Sequence, residues 1–221
     1  MNDDAIRLDE LIPEPVGVTA RMAYLQLLRF QELSASVAVA HDLAAKQQLG
    51  KIAAWALEAH ERLMALLAEH GTAGRKRFVG VARESDDFAR RVAGRDPDER
   101  LVTLYIAGGI LADFYAEVVA ALPEEQRERL GPWAELSESE RALAEILRSA
   151  MERDERLGDR LAMWGRRIAS DCVLACRRAL GIPEGSTAEE VRPGSEEAVD
   201  RLTSRLMADH SRRMNALGFA A

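Results

Sequence analysis

The chain has 221 residues, 48% hydrophobic and 30% charged, enough apolar material to bury a full core but with no run of ~18 uncharged apolar residues to span a bilayer. Aromatic residues make up 5%, and the apolar share is carried by Ala and Leu, which argues for helices and against a largely β fold. Thirty Lys and Arg against 37 Asp and Glu leave a net charge of −7, so no overall basic field draws the molecule to nucleic acid or anionic lipid.

The opening MNDDAIRLDELIPEP lacks the charged and apolar regions of a signal peptide, and two cysteines do not make a disulfide framework. A cytoplasmic location is expected, with Cys172 and Cys176 as buried free thiols. Residues 1–17 read as an N-terminal extension and 18–221 as one helical domain. Gly and Pro punctuation predicts helices over 18–46, 50–70, 79–93, 97–121, 137–153, 157–180 and 195–217.

A carboxylate or imidazole on a core-facing stripe is the place to look for chemistry, because burying it is costly unless something pairs with it. On the first helix Leu25, Leu28, Glu32, Ser36, Val39 and Leu43 follow a three/four spacing that aims Glu32 inward. It is either a functional carboxylate or the partner of a core arginine such as Arg167. On the second, Ala53, Leu57, His60, Met64 and Leu67 turn His60 inward. With the turn placed at Gly50, Glu32 and His60 should approach each other.

The fourth helix opens on Asp96-Pro97-Asp98-Glu99, a cap with a first-turn proline and dipole-compensating acids. It carries Asp113 and Glu117 just after Gly108-Gly109. Two mid-helix glycines cost ~1 kcal/mol each relative to Ala, which either close helix contact or space for a bound group would offset. Ser137-Glu138-Ser139-Glu140 reads as a capping box for the next helix. On the sixth, Trp164, Ile168, Asp171 and Leu174 form a stripe with Arg167 near enough to pair with Asp171. The last helix places His210 among Leu206, Met207, Met214 and Leu217 and follows a connector that would let it reach a second subunit.

RFQELSA around Glu32, AHERL around His60, GGILADFYAEV around Asp113, RLAMWGRRIASD ending at Asp171 and the C-terminal LMADHSRRMNALGF resemble actinobacterial ferritin-like proteins grouped with the MiaE-like tRNA hydroxylases. The resemblance runs from about residue 20 to the C-terminus. It implies an all-α, ferritin-like antiparallel four-helix bundle with additional helices. It further implies a non-haem iron site using Glu32, His60, Asp113 and Asp171 as metal ligands, a hydroxylase activity on tRNA or a small molecule, and a homodimer. The sequence departs from the family pattern at Leu57, where a Glu-x-x-His would place its glutamate, and no second Glu-x-x-His is present. Two functions therefore stand side by side: a divergent metal-dependent hydroxylase, and a bundle that has lost its di-metal centre and serves as a binding or structural protein.

Overall fold

The computed structural model describes residues 10–133 and 137–219. Among these are nine α-helices: α1 (Pro15–Ala38), α2 (Leu43–Ala68), α3 (Gly71–Val92), α4 (Pro97–Ala120), α5 (Glu124–Leu130), α6 (Ser137–Arg153), α7 (Leu157–Ala179), α8 (Ala188–Val191) and α9 (Glu196–Ala216). No strand occurs among the described residues. The molecule is an all-α bundle.

The break between the first two helices lies well before Gly50. Asp42 caps α2 by accepting a hydrogen bond from the Ala45 amide at 2.8 Å, so the chain turns at residues 39–42 and the helix runs through Gly50. A short polar residue that satisfies an orphan amide starts a helix more decisively than an isolated glycine ends one. Likewise α3 begins at Gly71 rather than 79. Gly74 permits this early start, since a side chain there would meet the Leu67 carbonyl oxygen at 2.2 Å.

α4 lies at the centre and packs against α1, α6, α7 and α9, while α2 pairs with α1 and α3 spans α1, α2 and α7. Its length and mean hydropathy of 1.5 would suit a membrane span, yet Val102, Ile106, Ile110, Phe114 and Val118 are buried against the other helices. The expected cap holds, with Asp96 accepting from the Glu99 amide at 2.9 Å. α7 is tied to this end of α4 by Arg160, which reaches Asp96 and Glu99, and by Trp164, whose ring nitrogen donates to Thr103 Oγ1 at 2.9 Å. The last helix belongs to its own bundle, with Leu202, Leu206, Met214 and Leu217 buried. Cys172 and Cys176 are free and buried, as expected, and burial raises both thiols far above their ordinary pKa.

Candidate functional site

The four residues nominated as metal ligands lie in four separate neighbourhoods. On α1 the buried stripe is Met22, Gln26, Arg29, Leu33 and Ser36, offset by about one position from the expected one, and one position is 100° of rotation. Val39 and Leu43, expected on the same stripe, lie beyond the end of α1 at the turn into α2 and are exposed. Glu32 sits at the edge with its side chain 46% exposed, and its carboxylate pairs with Arg100 of α4 at 3.1 Å.

His60 meets α1 at a different level. Its Nδ1 lies 2.9 Å from the Ala23 carbonyl oxygen, and its ring leans on Phe78 of α3. Ala23 precedes Glu32 by nine residues, about 13 Å along a helix. The earlier turn at 39–42 explains this, because moving the turn of an antiparallel pair shifts the register by twice the displacement. Glu32 and His60 do not approach each other.

Asp171 is half-buried beside Arg91 of α3 at 3.7 Å. Arg167, expected to neutralise Asp171 or Glu32, stacks on the Trp164 ring instead, 4.7 Å from its centre. Glu32 and Asp171 thus pair with arginines other than Arg167.

Asp113 has the most developed environment. Arg213 of α9 donates from Nη1 and Nη2 to its two oxygens at 2.7 and 2.9 Å, and from Nε to Oε1 of Glu140 at 3.0 Å. Glu140, read as the acid of a capping box, thus turns its carboxylate to this guanidinium. Glu117, one turn beyond Asp113, is held by Arg205 of α9 at 2.8 Å, so Asp113 and Glu117 both fasten α9 to α4. His210, one turn before Arg213, is buried with Nδ1 unpartnered. Burial, and then the charge of Arg213, lower its pKa.

The glycine pair explains how these groups fit. A Cβ at Gly109 would lie 2.2 Å from Nε and 2.7 Å from Cζ of Arg213, and one at Gly108 would lie 2.9 Å from Nη1 of Arg29. The two glycines admit two arginines from two other helices.

Arg29, from α1, was not singled out from the sequence, although a charged residue at the spacing 22, 26, 29, 33, 36 is the signal that could have found it. It is 7% exposed, and neither its Nε nor its Nη2 has a hydrogen-bond partner. Burial pulls its pKa down to about 10, against the opposing field of Glu140; at neutral pH it remains a cation. Beside it a half-open cavity of about 150 Å³ runs between α1 and α4 under the end of α3.

A di-metal centre needs carboxylates and imidazoles gathered in one cluster with acceptor oxygens free to ligate. Asp113 and Glu140, which do come together, already accept from the guanidinium of Arg213. These residues do not fit such a centre. Among the described residues no group of three or more His, Cys, Asp or Glu could hold a metal ion.

An all-α bundle of long helices joined by short turns, with its central helix carrying inward carboxylates, has the architecture of the ferritin-like class. A family model described as a ferritin-like domain of actinomycetes matches residues 13–181, and the chain belongs to this family. α9, with Arg205, His210 and Arg213, lies beyond the matched segment. No curated protein matches the chain.

Proposed function

We propose that this ferritin-like bundle holds its interior carboxylates with arginine in place of metal and works as a binding protein rather than as an oxygenase. The observation that carries this reading is the bidentate grip of Arg213 on Asp113, extended to Glu140. A guanidinium supplies fixed positive charge and directed donors to two carboxylates, which is the neutralising task a metal performs in a carboxylate-bridged site. It binds no dioxygen. The cavity beside Arg29 provides the space for a ligand.

A tRNA partner draws no support from a net charge of −7. A homodimer, expected from the resemblance, would form through a face other than the apolar side of α9, which is spent inside its own bundle.

Anaerobic titration of the purified protein with Fe(II), followed by metal analysis and a spectrum after admission of oxygen, tests the reading. Fewer than two irons per chain and no absorption of an oxo-bridged pair are expected. Two firmly held irons per chain would overturn it and restore the hydroxylase.

A further inference from the structure

A buried guanidinium is tolerated in an apolar interior when acceptors satisfy its donors, and costly when they do not. Arg213 meets that condition and Arg29 does not. Nη1 of Arg29 lies against the Gly108 backbone, while Nε and Nη2 are left without partners.

Arg29 lines a cavity whose remaining wall is largely apolar, including Met22, Leu25, Phe88, Leu104 and Leu111. The other charged residues lining it, Glu32 and Arg100, neutralise each other as a partly exposed ion pair. The wall therefore carries one net positive charge. Its volume of about 150 Å³ matches a single aromatic or alicyclic ring in an apolar protein interior.

We infer that this cavity is a binding site for a small organic monocarboxylate, its carboxylate paired with the guanidinium of Arg29 and its compact apolar body seated among the side chains of α1, α3 and α4. The ligand would bring a negative charge to a buried cation that the fold leaves incompletely matched. Its single charge would match that of the wall. This inference deepens the binding reading by naming the ligand class, and the two fail separately: iron content decides the reading, carboxylate recognition decides the inference.

Calorimetric titration of the full chain with benzoate and cyclohexanecarboxylate, each set against its neutral amide, tests it. The acids should bind, and the amides at least about tenfold more weakly, the usual margin for a charge-assisted hydrogen-bonded pair. Arg29→Met should bring the acids down to the level of the amides and leave the amides unchanged. Arg29→Lys, which keeps the charge without the planar guanidinium, should weaken the acids about tenfold. Ala107→Leu, which fills a buried stretch of the wall, should weaken acids and amides together. Equal binding of acid and amide, unaltered acid binding in Arg29→Met, or no binding by any probe at millimolar concentration would overturn the proposal. Should Arg29→Met fail to fold, the acid-to-amide ratio in the unaltered chain and the Ala107→Leu result still decide.

Discussion

Arg213 and Arg29 reach α4 at neighbouring glycines and end in opposite circumstances. Arg213 arrives from α9 to meet two carboxylates and is matched by both; Arg29 arrives from α1 to line an apolar cavity and keeps two nitrogens unmatched. The difference lies in the surroundings and not in the residue. Where acceptors surround the guanidinium it becomes a fastener between helices, and where they are missing the same group is a site that external acceptors can fill.

The largest expected effect separates the two arginines directly. Arg213→Met leaves Asp113 and Glu140 partly buried without their cation and should destabilise the fold by about 3 kcal/mol, the low end for breaking a buried pair because both carboxylates keep some solvent contact. Arg29→Met should leave stability unchanged or raise it by up to ~1 kcal/mol, since it removes unsatisfied donors from the interior. Urea denaturation of both variants measures this. Equal losses would erase the distinction between fastener and open site.

The glycines repeat the contrast on a smaller scale. Gly109→Ala drives a methyl group into the middle of the clamped Arg213 side chain and should cost about 2 kcal/mol. Gly108→Ala meets only the far end of Arg29, which has a cavity to move into, and the helix-propensity gain of roughly 1 kcal/mol should make it neutral or stabilising. Thermal melting of the two alanine variants distinguishes them, and a destabilised Gly108→Ala would mean that Arg29 is held as firmly as Arg213.

The smallest effect is a pH dependence on the closed side alone. His210 resists protonation in the folded state, through burial first and the charge of Arg213 second. As pH falls below the ordinary value of 6.5, the unfolded chain therefore takes up the proton before the folded one does. Stability from this residue is whole above that value and declines as pH falls through it. His210→Leu should flatten the change in urea midpoint between pH 7.5 and pH 5.5. A slope that persists in this variant would assign the acid sensitivity to another group.

Much of the helical layout was legible because its signals are local. The Asp96-Pro97 start, the predicted spans 137–153, 157–180 and 195–217, and the importance of Gly108-Gly109 each follow from residues within a turn or two of one another. The ferritin-like architecture was accessible through several such segments together. The first hairpin was misread for a local reason as well: apolar spacing continued across Val39 and Leu43, while Asp42, whose side chain caps α2, was passed over in favour of Gly50. That one displacement separated Glu32 from His60.

The candidate site was legible only in kind. Sequence alone determined that α4 would carry carboxylates on an otherwise apolar helix, that these would require positive partners, and that two mid-helix glycines would serve either a close helix contact or space for a bound group, since burial cost and helix geometry act on any chain with this pattern. Which cation answers which carboxylate was decided by tertiary structure. Arg100 rather than Arg167 reaches Glu32, Arg91 reaches Asp171, Arg213 joins Asp113 to Glu140, and Arg29 lines the cavity with two nitrogens unmatched. The physical reason is that helix-forming signals act over three or four residues, whereas an ion pair depends on the rotation and register of two packed helices. A rotation of 100° about α1 exchanges an edge carboxylate for a buried guanidinium.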